Sequence, residues 1–322
     1  MSPSLPTAYT TLPFRHIRVS HVPASSPVPT PIILITLYRP EKHNAFTDIM
    51  TEDLVTAFDL LSLDPRVKCI VITGHGKMFC AGADLDTGLN YKEDTALTHR
   101  DGGGRVALAI HRCNKPTISA INGREMIANK LHRSAVGVGI TLTLPTSIRL
   151  VSNTAKIGFV FSRRGIIMEA CSSYFLPRLI GLSRAIHLTT TGSVYPSTSP
   201  LLSNLFSEIL PADQVLPRAL EIAADIAQNT SLVSTKVMRD LMWRGPPTAE
   251  ETHLLDSRVL LELFGGKDKS EGVAKKRNPE FKANMLENAP SAWPWWKQVD
   301  TKPPMTVEEA VKRVEDRAKA KL

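Results

Sequence analysis

The sequence predicts an α/β fold. Between the first two of three short apolar runs, the residues from 47 to 63 repeat at helical spacing, with Met50, Leu54 and Phe58 on one face. The three runs have the length and β-branched content of buried strands, and they cover residues 32–37, 69–73 and 117–121. Buried strands that alternate with helices are typical of α/β proteins. From residue 212 onward the pattern is mostly helical.

Composition excludes several classes of protein. The chain has 322 residues, of which 43% are hydrophobic and 22% are charged, so it can bury a sizeable core. Its four cysteines show no C-x-x-C or paired Cys/His spacing, which argues against a disulfide scaffold and against a metal site. No apolar run is long enough for a membrane span, and the first residues do not resemble a signal peptide. The net charge of +8 is dispersed and does not favour nucleic-acid binding.

The two ends of the chain differ from the middle in composition. The first thirty residues are rich in Pro, Ser and Thr and predict an edge strand and a loop before the core. After residue 290, we expect Trp293, Trp295 and Trp296 to pack a C-terminal extension against the rest of the protein, ahead of a short final helix that opens near residue 306.

Three segments at the ends of predicted strands carry the candidate chemistry. Small residues in such loops allow backbone N–H groups to approach a ligand, and two loops together could offer two donors to one oxyanion. A single Gly-containing turn is usually only structural. The first segment is L-Y-R-P-E-K-H-N-A-F at 37–46, which contains R-P-E-K-H-N-A, and the second is F-C-A-G-A-D-L at 79–85. The third is N-G at 122–123, followed by A-V-G-V-G-I-T at 135–141.

In this order the three segments resemble the crotonase superfamily of enoyl-CoA hydratases and isomerases, over residues 32–281. The resemblance implies an α/β crotonase spiral of ββα units with a helical C-terminal region, assembled as a homotrimer or hexamer. It also implies three units along the chain: a core with the acyl-CoA site at 1–255, a helical trimerisation region at 256–290, and an extension at 291–322.

The resemblance implies an acyl-CoA thioester as ligand, with coenzyme A as part of the substrate and no further cofactor. The thioester oxygen is expected between the N–H groups of Ala83 and Val138. Asp84 is expected to structure its loop and not to act as a base. The residues expected to contact the acyl-CoA are Ala81, Gly82, Ala83, Asp84, Leu85, Gly137 and Val138.

The choice of base is the main departure from the family hydratases. Their two glutamates correspond here to Thr141 and Phe161, and neither side chain can act as a carboxylate base. The segment G-I-I-M-E-A-C-S-S at 165–173 instead resembles the glutamate loop of peroxisomal Δ3,Δ2-enoyl-CoA isomerases, which implies that Glu169 is the catalytic base. Its apolar neighbours predict a raised pKa. The alternative is a glutamate at a helix N-terminus that only accepts backbone N–H groups.

The resemblance therefore implies isomerisation of 3-enoyl-CoA to 2-enoyl-CoA through a dienolate. Two alternatives stay open: an enoyl-CoA hydratase-type enzyme of a secondary-metabolite pathway, and a catalytically dead CoA-binding paralogue. Eleven residues, 124–134, interrupt the loop before the second oxyanion donor. They are consistent with a lid, with a displaced Val138, or with a retained intron in the gene model.

The last three residues predict the compartment. Ala320, Lys321 and Leu322 resemble the S-K-L peroxisomal address with a small residue in its first position. The sequence therefore predicts peroxisomal localisation and an import receptor as a partner.

Overall fold

A six-stranded sheet forms the centre of the protein. The computed structural model describes residues 5–76, 78–84, 86, 99–123, 135–275, 279–299, 301, 311–312 and 315. The strand order is β1-β2-β3-β4-β6-β9, in which β1 is an antiparallel edge strand and the other neighbours are parallel. These strands are β1 (Ile17–His21), β2 (Ile32–Leu37), β3 (Cys69–Gly74), β4 (Thr117–Ile121), β6 (Ile148–Ser152) and β9 (Glu208–Leu210). The predicted α/β class, the three central strands and the N-terminal edge strand are confirmed.

A second, three-stranded sheet lies beside the first. Its order is β5-β7-β8, and it consists of β5 (Ala135–Val136), β7 (Lys156–Gly158) and β8 (Val194–Pro196). The helices are α1 (Asp48–Leu63), α2 (Gly102–Arg112), α3 (Val138–Thr141), α4 (Ser172–Ile180), α5 (Leu182–Thr191), α6 (Val215–Asn229), α7 (Leu232–Arg244), α8 (Ala249–Phe264), α9 (Lys267–Ala274) and α10 (Met285–Asn288). Among the described residues, the part from Val215 onward is mostly helical, as the pattern predicts. The division into three units stays a prediction, and its boundary after residue 255 falls inside α8.

Both faces of the central sheet are covered, which explains its continuous apolar strands. On one face, Ile35 of β2 and Ile72 of β3 belong to the same core cluster as Phe58 of α1. On the other face, Val71 of β3 belongs to a cluster with Ala223 of α6. Parallel strands in such a sheet end at one edge, so the loops that follow β2, β3 and β4 meet there.

Helix α2 begins within a run of three glycines. The helix starts at Gly102, although glycine has a poor helix propensity. The Asp101 side chain caps it, because Oδ1 accepts a hydrogen bond of 2.5 Å from Gly104 N. An aspartate N-cap stabilises a helix by about 1 kcal/mol, which offsets the poor helix propensity of the glycines.

The other end of α2 is held by α7. Lys236 and Arg239, both buried, donate to main-chain oxygens there, and the acceptors are His111, Arg112 and Cys113. Lys236 also pairs with buried Asp240 at 3.2 Å. Asp240 in turn accepts a hydrogen bond of 2.9 Å from the indole N–H of Trp293. The C-terminal extension thus packs on α7, with Trp293 and Trp295 against a small cluster that is separate from the main core.

We expect Trp293→Phe to lower the free energy of unfolding by about 2 kcal/mol, because a buried carboxylate loses a donor. Trp295→Phe removes a 3.0 Å bond to the neutral Arg244 carbonyl, so its expected cost is about 1 kcal/mol. Urea denaturation of both variants measures the difference. Trp296→Phe serves as the control, because its indole N–H has no acceptor within the described residues. Equal losses in all three variants would contradict the role given to Asp240.

Candidate active site

The two Gly-containing loops of the sequence lie side by side. Cys80 and Ala135 form a parallel bridge, and Val136 N donates to Cys80 O at 3.3 Å. On its other side the 79–84 segment pairs with Phe46, whose N–H donates to Gly82 O at 2.8 Å. The first loop is therefore held between the end of the R-P-E-K-H-N-A segment and the strand that leads into α3.

Glycine permits the close approach of these loops. A methyl group at Gly139 would overlap the Cys80 carbonyl oxygen. Gly82 has φ of +100°, and a methyl group there would lie 3.0 Å from Val136 O. The first turn of α3 is consequently fixed against the 79–84 segment by main-chain contacts.

Two amides at this junction are available to a ligand. In the bridge between Phe46 and Ala83, the hydrogen bonds use Gly82 O and Asp84 N, so the Ala83 N–H does not take part. Val138 is the first residue of α3 and donates no intrahelical bond. Within the described ranges neither amide has a protein acceptor. This arrangement suits the predicted oxyanion donors, which the structure brings to neighbouring segments.

Two polar side chains of the R-P-E-K-H-N-A segment order the same loops. Asn44 is buried, and its Nδ2 donates to His75 O at 2.9 Å and Met78 O at 2.8 Å. Arg39 Nη2 lies 2.8 Å from Asp84 Oδ2, and this hydrogen bond lowers the pKa of Asp84. The Asp84 carboxylate therefore fixes its loop, and its ionised form is stabilised by Arg39.

Glu169 lies at the end of the loop that precedes α4, and its carboxyl group is buried against α2 and α3. Oε1 accepts a hydrogen bond of 2.5 Å from Thr141 Oγ1. Oε2 is buried, and no described group forms a hydrogen bond to it. Burial raises the pKa of Glu169 to about 7, with a smaller increase from Asp101, while the Thr141 hydrogen bond acts in the opposite direction. A carboxyl group in this state can accept or return a proton near neutral pH.

The alternative role of Glu169, as a carboxylate that caps a helix, does not match this geometry. Its main-chain oxygen, and not its side chain, accepts hydrogen bonds from Ser172 N at 3.0 Å and Ser172 Oγ at 2.5 Å. Among the described residues, the side chain accepts only from Thr141. The Glu169 carboxyl group therefore does not cap α4.

The first turn of α2 forms one wall beside Glu169. A methyl group at Gly103 would overlap Glu169 Oε2 and would lie 3.2 Å from Val138 Cγ2. Oε2 thus lies near the residue whose amide is the second predicted oxyanion donor. Asp101 links this turn to the Glu169 loop, because its Oδ1 also accepts from Ala170 N at 3.2 Å.

Three residues of this site have no role in the sequence interpretation. Thr141 was noted only as the position where hydratases have a glutamate, and Gly103 and Asp101 were not singled out. The pattern D-G-G-G at 101–104 was a usable signal, since an N-cap aspartate followed by glycines marks a helix start with an accessible backbone. Phe161, the other substituted position, is buried.

Other expectations lie partly outside the described residues. The structure does not describe Leu85, the 124–134 segment or the terminal Ala320, Lys321 and Leu322. The three interpretations of 124–134 therefore stay predictions, and so do peroxisomal import and the import receptor. The homotrimer or hexamer also stays a prediction. Within the described ranges, no group of three or more His, Cys, Asp or Glu side chains could hold a metal ion. No helix there is long and apolar enough to cross a membrane.

Most of this sequence aligns with proteins of known family. The enoyl-CoA hydratase/isomerase family model matches residues 28–284. Two proteins of Alternaria alternata, named enoyl-CoA hydratase AFT3-1 and enoyl-CoA hydratase ACTT3, are each 49% identical over 262 residues, which is 80% of this chain and 85% of theirs. Another relative, the 2,3-dehydroadipyl-CoA hydratase of Escherichia coli, is 28% identical over 78% of this chain and 95% of its own.

Solved structures agree with the fold. A probable enoyl-CoA hydratase/isomerase from Mycobacterium abscessus superposes with a TM-score of 0.69 at 28% identity, covering 79% of this chain and 96% of that one. An enoyl-CoA hydratase from Bacillus anthracis gives 0.69 at 25% identity, covering 83% and 99%. The crotonase fold is confirmed, whereas the particular likeness to peroxisomal isomerases is not supported, because these relatives are named hydratases. The chain belongs to the enoyl-CoA hydratase/isomerase family.

Proposed function

We propose that this protein catalyses proton transfer on an enoyl-CoA thioester, with Glu169 as the acid–base group. The observation that carries the proposal is the buried Glu169 carboxyl, whose Oε2 has no described hydrogen-bond partner and lies beside Gly103 near Val138. The unused amides of Ala83 and Val138 are the proposed oxyanion donors. Donors that are already oriented stabilise developing negative charge on a thioester oxygen without reorganisation.

Hydration of a 2-enoyl-CoA is the proposed reaction. The names of the relatives at 49% identity support it over isomerisation, the reaction that the sequence alone favoured. Ionised Glu169 takes a proton from water, the water oxygen bonds to C3, and the electron pair of the double bond moves toward the thioester oxygen. The amides of Ala83 and Val138 hold the resulting enolate. Glu169 then returns its proton to C2, which gives the 3-hydroxyacyl-CoA.

Isomerisation of a 3-enoyl-CoA is the second candidate. It is favoured by one observation, that Thr141 and Phe161 occupy the positions of the two hydratase glutamates. Among the described residues of the site, Glu169 is then the carboxyl group placed for proton transfer. In this reaction Glu169 removes a proton from C2, the electron pair delocalises over the dienolate, and the same proton returns at C4. No water is added, so one carboxyl group is enough.

Analysis of the products distinguishes these two reactions. Purified protein is given a 2-enoyl-CoA and, separately, a 3-enoyl-CoA, and the products are analysed by mass spectrometry and by absorbance of the conjugated thioester. We expect the 2-enoyl-CoA to gain the mass of one water molecule and to lose its conjugated absorbance. Conversion only of the 3-enoyl-CoA, at constant mass, would support isomerisation instead. Absence of turnover on both substrates would contradict the proposal and favour a CoA-binding protein without catalysis.

Glu169→Gln removes the proposed base, and we expect it to reduce kcat by roughly 10²–10⁴-fold. Binding of the acyl-CoA should change little, since the amides of Ala83 and Val138 are untouched. Glu250→Gln on exposed α8 is the matched control and should keep wild-type activity. Undiminished turnover by Glu169→Gln would contradict the assignment.

Glu169 also predicts a pH-dependent cost to stability. Its folded pKa of about 7 lies above the ordinary 4.5, so the native state binds this proton more tightly than the unfolded state does. This tighter proton binding stabilises the native state fully below pH 4.5, and the stabilisation is lost as the pH rises to about 7. The total loss in the free energy of unfolding is roughly 3 kcal/mol. We therefore expect Glu169→Gln to gain stability relative to wild type by up to this amount between pH 4 and 8. Denaturation at several pH values measures the gain, and a constant difference would contradict the raised pKa.

A further inference from the structure

We propose that Thr141 is a positioning residue that holds the Glu169 carboxyl by Oε1 and leaves Oε2 as the atom that exchanges the proton with the substrate. This inference rests on the proposed function and assigns a task to a residue that stands where hydratases carry a glutamate. It applies to hydration and isomerisation alike, since both move one proton onto Glu169 and off again.

The contact between Thr141 and Glu169 is short and directional. Thr141 Oγ1 lies 2.5 Å from Glu169 Oε1, and it also lies 3.3 Å from the Gly137 carbonyl oxygen. A hydroxyl group has one proton, and the nearer, charged acceptor is the stronger one. Thr141 therefore donates to Oε1 whenever Glu169 is ionised. Thr141 is fully buried on α3, so its hydroxyl position is fixed by the surrounding packing.

The two carboxyl oxygens have different surroundings. Oε1 is already engaged by Thr141, whereas Oε2 is buried and has no hydrogen bond among the described residues. Space for Oε2 exists because residue 103 is glycine, since a methyl group there would overlap it. Val138 Cγ2 borders the same space. The unpartnered oxygen thus lies close to the side chain of Val138, the residue whose amide is proposed to hold the thioester oxygen.

Helix α3 connects the two functions. Val138 and Thr141 are three residues apart, which places them on one side of a helical turn. The amide at the start of the turn and the hydroxyl at its end are therefore fixed relative to each other. The position of a proton on Oε2 is therefore fixed relative to a thioester oxygen bound by the Val138 amide.

The electrostatic surroundings define what removal of the hydroxyl should do. Besides Thr141, the titratable groups that act on Glu169 or are affected by it are Asp101 at the start of α2, Cys80 on the first loop and Cys171 at the start of α4. Burial raises the pKa of both thiols, so they are neutral near pH 7. Thr141 is then the group that favours ionised Glu169 in this set, and its loss should raise the pKa of Glu169 further.

The test compares Thr141→Val with Thr141→Ser in otherwise intact protein. For Thr141→Val we expect kcat to fall about 10–100-fold with little change in KM, and the acid limb of the kcat/KM profile to move to higher pH. Thr141→Ser keeps the hydroxyl and should restore the limb and most of kcat. A purely structural role would lower activity without moving the limb. A wild-type limb in Thr141→Val would overturn the inference.

A substrate-free measurement separates this inference from the proposed function. Carbon-13 NMR of protein labelled at glutamate carboxyls, with Glu169 assigned by Glu169→Gln, follows the titration of this group directly. We expect Thr141→Val to raise the pKa of Glu169 and Thr141→Ser to leave it near the wild-type value. If wild type lacks turnover but this shift occurs, the proposed reaction fails and the Thr141 contact stands. If the pKa of Glu169 does not rise in Thr141→Val, the inference fails. Thr141→Ala provides the same comparison if Thr141→Val does not fold.

Gly103→Ala examines the other oxygen. The added methyl group would displace Oε2, so we expect a loss of turnover at least as large as that of Thr141→Val, with the fold retained because alanine favours a helix. Gly103→Ala with wild-type kcat would overturn the assignment of Oε2 as the proton carrier.

Discussion

Burial of one carboxyl group, that of Glu169, is the constraint on which the rest of the site depends. An isolated ionised carboxylate is costly in an apolar environment, and the usual response is a raised pKa. Here the hydrogen bond from the Thr141 hydroxyl limits the rise in the pKa of Glu169. The carboxyl group therefore titrates near neutral pH and is not permanently protonated. The cost is tolerated because a large α/β core with apolar clusters on both faces of its sheet supplies stability elsewhere.

The wall beside this carboxyl group is the first turn of α2, a helix that is anchored at both ends. At its start, Asp101 joins the first turn to Ala170 and thereby to the Glu169 loop. At its end, Arg239 donates to the last carbonyl oxygens, and the pair of Lys236 and Asp240 connects α7 to the indole of Trp293. Gly103 lies in the first turn of this eleven-residue helix, whose last turn is held by α7. The C-terminal extension is thus mechanically connected to the site although it lies beyond the matched family segment, which ends at residue 284.

The fold was largely predictable because local patterns and the global structure agree. Strands such as Cys69–Gly74 are buried on both faces and therefore read as nearly continuous apolar runs. The start of α2 is harder to predict, because its glycines oppose a helix and the Asp101 cap compensates for them. Glu169 was identified by resemblance to a family loop. Its hydrogen bond to Thr141 spans 28 residues and depends on how α3 meets the Glu169 loop, which no local pattern encodes. The role of Gly103 is still less visible, since it consists of the absence of a side chain.

The replacement of a carboxylate by Thr141 also bears on how one site can serve the reactions of this family. A carboxylate at position 141 would lie next to that of Glu169, and the two would repel each other, so that one of them would be protonated near neutral pH. A threonine avoids that coupling, so Glu169 titrates as a single group. In the proposed mechanisms, hydration and isomerisation both place one proton on Oε2 and an enolate between the two amides. They differ in the source of that proton, water or C2, and in the carbon that receives it, C2 in hydration and C4 in isomerisation. Among the described residues, Glu169 is the side chain to which both proposed reactions assign the proton transfer. Under the proposed function, the choice of reaction therefore depends on the position of the substrate's double bond and on whether water or an acyl carbon lies beside Oε2.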